Sequence, residues 1–449
     1  MTTETRPIRE RGQWSDLDDA GRADLTTRGL EKIFDPQLRE SVLSILEDVR
    51  EHGDAALVRA LATFDKVETT PAELRVSRAE FEAARAALAP EMIAAIRESI
   101  AFVRRFNEQL VAESSWSFET APGVRVGERT SPIESAGLFV PSGKGSYPSV
   151  LIQLATPAIV AGVENIAVVV PPVAGTGGKV DDAVLVVADE LGIDQVFRAN
   201  GPAGIAALAF GTESVPKVRK ICGPGSPPVA CAQIEVQRYG TCGVMLLGPS
   251  ESLILADDSA DPRLLAADLL NEAEHGPDSS SVLVTPSAAL LDAVQAEVAA
   301  QLLELPEPRR SYALSSLGTN GGAVLVGSME EGAEVANAYA PEHMQLVARE
   351  EDRILDLIHD AAEVLLGQDT TISMANFVLG CPASLPTSGY AKVSSGITAD
   401  AFRKKMAVAK ADRAGLTALS GTVLAFTEHE GFPAHGNAVR ARLQGATAR

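Results

Sequence analysis

Two short segments of the chain place an acidic side chain next to a histidine. Glu272 precedes His275 by three residues, and Glu342 directly precedes His343 after a proline. In a helix, residues three apart lie on one face with Cβ atoms about 5–6 Å apart, a spacing that helical metal sites use. Imidazole and carboxylate together suit zinc, and histidine titrates near neutral pH, so it can transfer protons. The two segments therefore predict an enzyme with a metal site and its own acid–base pair.

Two roles of His275 are compatible with the sequence, because it lies at the end of a predicted helix beside a Gly-Pro pair. Metal ligation is favoured over helix capping, since the carboxylate of Glu272 supplies a second donor. His435 lies far down the sequence in Phe432-Pro-Ala-His435. Its surroundings alone indicate a surface residue.

The composition is that of a soluble globular protein. Of the 449 residues, 46% are hydrophobic and 22% are charged, so the chain can bury a core but is too long for one ordinary domain. A net charge of −21 argues against nucleic acid as a partner, because phosphate neutralisation needs clustered Lys and Arg. The N-terminus lacks the apolar segment of a signal peptide, and the most apolar stretch, residues 150–174, contains Pro157 and Glu164 and is too interrupted for a membrane span. Because the four cysteines form no CxxC pair, we predict a cytoplasmic protein without a membrane partner.

Strands alternate with helices from about Gly137 onward. A first α/β stretch includes the predicted strand Asn165-Ile-Ala-Val-Val-Val, and a second begins at Ser252-Leu-Ile-Leu-Ala. This alternation predicts doubly wound parallel sheets, in which ligands bind beyond the carboxyl ends of the strands. Residues 27–112 and the tail after Gly396 read mostly as helix. No GxGxxG follows any strand, so the usual dinucleotide fingerprint is absent.

Five segments together resemble the histidinol dehydrogenase family: Ile205-Ala-Ala-Leu-Ala-Phe-Gly-Thr-Glu-Ser-Val-Pro-Lys217, Lys220-Ile-Cys-Gly-Pro-Gly225, Asp268-Leu-Leu-Asn-Glu-Ala-Glu-His-Gly-Pro-Asp-Ser279, Asn337-Ala-Tyr-Ala-Pro-Glu-His343 and Leu385-Pro-Thr-Ser-Gly-Tyr390. The similarity runs from about residue 30 to residue 445. It implies an α/β fold with two incomplete Rossmann-like, doubly wound domains and small N- and C-terminal helical arms, assembled as a domain-swapped homodimer.

The resemblance also implies domain boundaries. We expect an N-terminal helical arm at 1–38 and a first Rossmann-like domain, carrying the metal and catalytic residues, at 39–134 and 243–390. A second, nucleotide-binding Rossmann-like domain is expected at 135–242. The C-terminal arm at 391–449 is expected to reach the partner subunit.

The activity that the resemblance implies is that of a zinc-dependent and NAD-dependent dehydrogenase. Members of this family bind one zinc per site and oxidise an amino alcohol to the acid in two hydride transfers to NAD. Carried over to this chain, the resemblance makes His343 the general base that deprotonates the alcohol. It makes Glu342 the residue that activates water for the second oxidation.

The zinc positions of the family fall on four residues of this chain. His275 occupies one ligand position, and His435 occupies the one that the partner subunit's arm contributes. Glu272 stands where the family has glutamine, and Asn376 stands where it has aspartate. The two changes are opposite in charge, so the ligand set keeps one negative charge and the same oxygen donors. We therefore expect the metal to be kept, because a buried Glu272 carboxylate without a cation carries a desolvation penalty.

The substrate pocket departs further from the family. The resemblance assigns substrate contacts to Ser250 and Glu430, whereas Ala383 stands where the family has a substrate-contacting histidine. Loss of such a hydrogen bond can change specificity by orders of magnitude. The predicted substrate is therefore a small polar alcohol other than histidinol, such as a hydroxylated sulfonate, with the oxidation of histidinol to histidine as the alternative.

The cofactor positions of the family fall on Phe139, Ala203 and Ser226, where it has tyrosine, glutamine and asparagine contacts to NAD. Ring stacking can survive at Phe139, but the lost polar groups weaken the prediction of NAD binding. The alternative function is a zinc hydrolase of the same fold that no longer uses NAD, because zinc and a carboxylate base can activate water without a nucleotide. A rise in melting temperature on adding NAD or NADP would disfavour the hydrolase.

Overall fold

The structure is a computed structural model that describes residues 6–28, 35–112, 115–142, 145–241 and 249–444. It divides into two compact units. The large unit comprises residues 1–108 and 133–402, and the small unit comprises residues 109–132 and 403–449.

Strands and helices alternate along most of the chain. The strands are β1 (Glu10–Gln13), β2 (Trp116–Ala121), β3 (Val124–Pro132), β4 (Ser135–Phe139), β5 (Asn165–Val170), β6 (Val196–Arg198), β7 (Lys220–Cys222), β8 (Glu251–Ala256), β9 (Ser280–Thr285), β10 (Gly322–Leu325), β11 (His343–Val347), β12 (Glu363–Leu366) and β13 (Arg403–Ala411). The α-helices are α1 (Asp19–Thr26), α2 (Pro36–Ala60), α3 (Arg78–Ala87), α4 (Pro90–Ala112), α5 (Pro148–Ala161), α6 (Asp182–Glu190), α7 (Gly201–Phe210), α8 (Pro227–Glu235), α9 (Pro262–Ala273), α10 (Ala288–Gln301), α11 (Arg309–Ser315), α12 (Met329–Tyr339), α13 (Glu351–Leu355), α14 (Ile372–Phe377), α15 (Arg413–His429) and α16 (Pro433–Gln444). No helix among the described residues is long and apolar enough to cross a membrane.

A six-stranded parallel sheet in the large unit has the strand order β1-β10-β9-β8-β11-β12. Successive residues of a strand face opposite sides of the sheet, and β8 shows how both sides are covered. Ile254 and Ala256 join an apolar cluster with α9 and α10, whereas Leu253 and Leu255 join a second cluster with α12. Helices therefore cover both faces, which confirms the predicted α/β fold with parallel sheets.

A four-stranded parallel sheet of order β6-β5-β4-β7 forms the second layered part of the large unit. Helix α7 is buried against it through Ile205 and Leu208, in one apolar cluster with residues of α2. Directly after β7, Gly223 adopts φ +147°, and a Cβ atom there would lie 2.1 Å from the carbonyl oxygen of Phe139. Only glycine allows the two backbone segments to approach so closely at the carboxyl edge of this sheet.

The small unit is built on an antiparallel sheet of order β13-β3-β2, which α15 and α16 follow. The prediction that the tail after Gly396 is helical is wrong for β13, which pairs along its whole length with β3. The side chains of β13 are nearly all exposed, so they do not show the buried alternation by which a strand is recognised. Pairing with a distant segment, rather than local pattern, makes this stretch a strand.

The predicted N-terminal helical arm at 1–38 also contains a strand. β1 pairs in parallel with β10 at the edge of the six-stranded sheet. Just before it, the side chain of Gln295 bonds both the N–H and the carbonyl of the buried Ile8, at 3.0 and 2.7 Å. These bonds fix the segment to helix α10, and helix α1 is the α-helical part that the structure describes between residues 6 and 28. The other predicted domain boundaries stay predictions.

Candidate active site

The amino edge of the six-stranded sheet collects the residues that could do chemistry. In a parallel sheet, the helix after one strand runs back to the start of the next, so helix ends and strand starts share an edge. Helix α9 ends shortly before β9, and α12 ends shortly before β11. This topology brings Glu272, His275 and Glu342 to the same edge as His343. It is the edge opposite to the one that the strand–helix alternation predicted for ligands.

The imidazole of His343 lies between two carboxylates. Its Nε2 is 3.8 Å from Oε1 of Glu342, and its Nδ1 is 2.8 Å from Oε1 of Glu363. The side chain of His343 is 4% exposed, and those of Glu342 and Glu363 are 12% and 5% exposed. An imidazole held at Nδ1 in this way can accept a proton at Nε2 and return it.

Glu363 contacts His343, and the sequence analysis did not single it out. It begins β12, and the parallel pairing of β11 with β12 places it in register beside His343. The local signal is weak: a single acidic residue opens the apolar run Glu363-Val-Leu-Leu. Its meaning depends on which strands are neighbours, and the sequence does not reveal that order.

A buried ion pair supports this site from behind. The guanidinium of Arg28 donates to both carboxylate oxygens of Glu251, each at 2.8 Å, and also to the carbonyl of Tyr339 at 2.9 Å. The N–H of Ser388 donates to Glu251 as well, at 2.9 Å. The N–H of Glu251 in turn donates to Oε2 of Glu342 at 3.0 Å. Glu342 is therefore held by the N–H of Glu251. The side chain of Glu251 is itself fixed by a charge-assisted bidentate pair with Arg28.

Burial and neighbouring charges shift the pKa values of the pair. Burial raises the pKa of Glu342, while His343 opposes the rise and the negative charge of Glu272 adds to it. Burial alone would lower the pKa of His343, but the charge of Glu342 and the hydrogen bond to Glu363 outweigh it, so this pKa is raised. The protonation states of Glu342 and His343 are therefore linked, because the charge of each residue shifts the pKa of the other.

The candidate metal ligands Glu272 and His275 lie near the end of α9. Glu272 is in its last turn, and His275 is two residues beyond its last residue. Glu272 is buried, accepts a hydrogen bond from Nδ2 of Asn271 at 3.1 Å, and lies 3.6 Å from Nδ1 of His275. Within the described residues, no Lys or Arg forms an ion pair with Glu272. The Nδ1 of His275 is also 3.1 Å from the carbonyl of Asn271, and a bond there leaves Nε2 free for a metal. A buried carboxylate without a cationic partner beside a free imidazole nitrogen fits a divalent cation.

Asn376 lies on the short helix α14, which is tied to the end of α9. Oγ of Ser373 donates to Oδ1 of Asn271 at 2.5 Å, and Asn376, three residues later, lies on the same side of α14. The described part of the chain contains no group of three His, Cys, Asp or Glu residues placed to hold a metal. The candidate donors in the large unit are Glu272, His275 and the amide of Asn376 on the adjoining helix, and their role toward a metal stays a prediction.

Two candidate substrate residues, Ser250 and Ala383, belong to the large unit. Ser250 precedes β8, and its carbonyl accepts the Ser280 N–H at 3.1 Å. Ala383 is half-buried, and its N–H donates to Oε1 of Gln153 at 3.3 Å. Gln153 is a second residue that sequence reasoning missed. Its only signal is an amide side chain inside the otherwise apolar helix α5.

The candidate cofactor residues lie at the carboxyl edge of the four-stranded sheet. Phe139 ends β4, Ala203 lies in the first turn of α7, and Ser226 precedes α8. Phe139 and Ala203 are buried, whereas Ser226 is exposed and its side chain does not cap α8. The three residues thus lie at the edge of the sheet where open α/β sheets bind ligands, and their role toward a nucleotide stays a prediction.

Glu430 and His435 belong to the small unit. Glu430 follows the last residue of α15, His435 lies in the first turn of α16, and both are exposed. The ring of Phe432 lies 5.2 Å from that of His435. The structure places these two residues together in one unit, and their roles toward substrate and metal stay predictions.

The comparisons with known proteins agree with one another. A family model described as Histidinol dehydrogenase matches residues 30–443. The chain is 42% identical over 402 residues to a histidinol dehydrogenase homolog of Colwellia psychrerythraea, covering 89% of each chain. It is 37% identical over 431 residues to the histidinol dehydrogenase of Methanosarcina barkeri, covering 96% of each. The crystal structure of histidinol dehydrogenase from Elizabethkingia anophelis is similar to this one with a TM-score of 0.92, at 32% identity and 99% coverage of both chains. The chain belongs to the histidinol dehydrogenase family.

Proposed function

We propose that this protein is a zinc- and NAD-dependent dehydrogenase that oxidises a small polar alcohol, through the aldehyde, to the acid. The observation that carries the proposal is the buried His343, whose Nε2 lies 3.8 Å from Glu342 at the same sheet edge as Glu272 and His275. Side chains of the types that proton transfer, water activation and metal ligation require thus lie at one edge of the sheet. Membership of the family supports the use of NAD.

In this proposal the residues of the chain divide the work. The alcohol gives its proton to Nε2 of His343, and the imidazolium that forms is stabilised by Glu342 and Glu363. Glu342, whose pKa is raised by burial, later takes a proton from the water that adds to the aldehyde. When bound, NAD would supply the hydride acceptor for each oxidation, and zinc would supply a Lewis acid for the oxygen of the substrate. The side chain of His343 is 4% exposed, so little bulk water reaches the imidazole.

The zinc of this proposal is held by Glu272, His275, Asn376 and, from a second copy of the chain, the partner's His435. Glu272 supplies the negative charge and Asn376 a neutral oxygen donor. The absence of a cationic side chain beside the buried Glu272, within the described residues, supports this assignment. Metal binding would remove the cost of burying that charge.

The substrate pocket beside Ala383 favours a substrate that carries a hydrogen-bond acceptor. Ala383 itself offers only a methyl group, but Gln153, which accepts its N–H, is 3% exposed, and its Nε2 has no partner among the described residues. A buried unpaired donor costs about 1–3 kcal/mol, and a sulfonate or carboxylate oxygen could satisfy it. Because relatives such as that of Methanosarcina barkeri are named histidinol dehydrogenase, histidinol is the reference substrate against which this preference is measured.

The proposal includes a homodimer in which the C-terminal arm completes the partner's site. Large apolar side chains stand exposed along the arm's helices: Leu419, Val423, Phe426 and Phe432. Their exposure on α15 and at the start of α16 supports burial against a second copy of the chain. Glu430 and His435 lie among them and would then enter the partner's site.

The experiment is a steady-state assay with the zinc-loaded protein, NAD and a panel of alcohols that includes histidinol and a hydroxylated propanesulfonate. Formation of NADH with at least one alcohol supports the dehydrogenase. No NADH with any of them, together with no rise in melting temperature on adding NAD or NADP, would favour the hydrolase instead. Product analysis shows whether the acid accumulates, as the role of Glu342 requires.

A further inference from the structure

The contact between Glu363 and His343 has the geometry of a strong hydrogen bond. Nδ1 of His343 lies 2.8 Å from Oε1 of Glu363, and each side chain is about 95% buried. The two residues begin neighbouring parallel strands in direct register. Strand pairing therefore fixes both backbones, and the bond does not depend on a flexible loop.

The second oxygen of Glu363 is also occupied. Sγ of Cys381, a free thiol, lies 3.5 Å from Oε2 of Glu363. Burial, together with the negative charge of Glu363, raises the pKa of Cys381 to about 12, so the thiol stays protonated and can donate. Among the described residues, no Lys or Arg forms an ion pair with Glu363. The imidazole is therefore the group on which its charge acts.

We propose that Glu363 is a positioning residue for the general base, and that Cys381 fixes the orientation of its carboxylate. Glu363 accepts the Nδ1–H of His343, which makes Nε2 the free acceptor on the side of Glu342. When the alcohol loses its proton to Nε2, the imidazolium is stabilised by the fixed charge of Glu363, and no proton moves to Glu363 itself. This inference rests on the proposed function, because it assigns Glu363 a role in the same proton transfer.

The expected effects follow from removing that charge. Glu363→Gln should lower kcat roughly 10²–10⁴-fold while KM for NAD stays within about twofold of the wild-type value. The acid limb of the kcat/KM profile should move to lower pH, because an imidazole without the neighbouring anion loses its proton more easily. Glu363→Asp, which keeps the charge, should recover part of kcat. Cys381→Ala should lower kcat by less than Glu363→Gln does, and Cys381→Ser, which keeps a donor, should restore it.

The matched control is Glu235→Gln. Glu235 is a carboxylate of similar burial that is paired with Arg39 in the other half of the large unit, and its variant should keep the wild-type pH profile. A purely structural role for Glu363 would lower stability but leave the acid limb in place. An unmoved acid limb in folded Glu363→Gln, or a kcat of that variant near the wild-type value, would overturn the proposal.

A second measurement does not need turnover. In protein labelled with ¹⁵N-histidine, the Nδ1–H proton of His343 should resonate far downfield in the wild type and shift upfield in Glu363→Gln. An unchanged resonance would contradict the proposal even if no alcohol is oxidised. If the wild type forms no NADH but the resonance shifts, the proposed dehydrogenase fails while the positioning of His343 by Glu363 stands.

Discussion

The two parallel sheets of the large unit present their candidate residues at opposite edges. At the amino edge of the six-stranded sheet, buried ionisable groups such as Glu342, His343 and Glu363 contact one another. At the carboxyl edge of the four-stranded sheet, the candidates are a buried ring, Phe139, and the close backbone approach at Gly223. In the proposed function, the first edge transfers protons and the second holds the cofactor. Substitutions at the first should therefore change kcat and its pH dependence, and those at the second should change ligand affinity.

The largest expected effect is that of His343→Asn. Loss of the only group that can accept the alcohol proton in this proposal should lower kcat by about 10³–10⁴-fold. KM for NAD and the rise in melting temperature on adding NAD should stay unchanged, because no candidate cofactor residue is altered. Steady-state kinetics and thermal unfolding measure the two quantities. A large change in NAD affinity would show that the two edges are not separate in function.

The metal site gives the next largest effect. Glu272→Gln removes the single negative charge of the proposed ligand set and should weaken zinc binding by about 10–100-fold. Adding Asn376→Asp to that variant returns a carboxylate to the set and should restore the affinity. Elemental analysis after dialysis against a graded series of chelator concentrations measures the zinc content.

The matched control for this pair is Asn376→Asp alone, which gives the set two negative charges and should bind zinc at least as tightly as the wild type. If the double variant, Glu272→Gln with Asn376→Asp, binds no more zinc than Glu272→Gln alone, the negative charge cannot be exchanged between the two positions. Chelation should also abolish NADH formation in the wild type, and zinc should restore it.

Much of the alternating α/β pattern could be predicted because its strands carry their own signal. The strand predicted at Asn165-Ile-Ala-Val-Val-Val is observed at Asn165–Val170, since a buried parallel strand reads as a continuous apolar run. β13 could not be predicted, because its side chains are exposed and show no buried alternation. Its backbone forms a strand by pairing with β3.

The candidate site shows the same division. Glu272, His275, Glu342 and His343 could be singled out because their chemistry is visible in local spacing. Glu363 could not, because its relation to His343 arises from the order of β11 and β12 in the sheet. Residue pairs that are close in the sequence can be recognised from it. Partners that lie on different strands can be recognised only once the order of the strands is known.

At the carboxyl edge, Gly223→Ala should act on the cofactor rather than on the proton transfer. The added Cβ would meet the carbonyl of Phe139 at 2.1 Å, and the backbone conformation at φ +147° disfavours any side chain. We expect a loss of stability of about 1–3 kcal/mol and a raised KM for NAD, with the pH limbs of kcat/KM in place. Gly192→Ala serves as the control, because that glycine also has a positive φ but nothing lies within 4 Å of an added Cβ. If both substitutions raise KM for NAD equally, the close approach of Gly223 to Phe139 has no specific role in binding the cofactor.

The smallest effect concerns stability and follows from a buried carboxyl group near the amino edge. Burial raises the pKa of Asp268 from 3.8 to about 6, against the opposing hydrogen bond from Gln345. Because the folded protein binds this proton more tightly than the unfolded chain, Asp268 lowers stability as pH rises from about 4 to about 6 and adds a constant cost above that. Asp268→Asn should therefore raise the free energy of unfolding by at most about 3 kcal/mol at pH 8 and leave it unchanged near pH 4. Denaturant unfolding of the chelator-treated protein at both pH values measures this.

In the other half of the large unit, Asp189 has a lowered pKa because Arg78 and Arg85 bond to it and outweigh its burial. Asp189→Asn should lower stability at pH 8, and a change of the same sign in both variants would show that the two halves do not differ in how they hold buried charge.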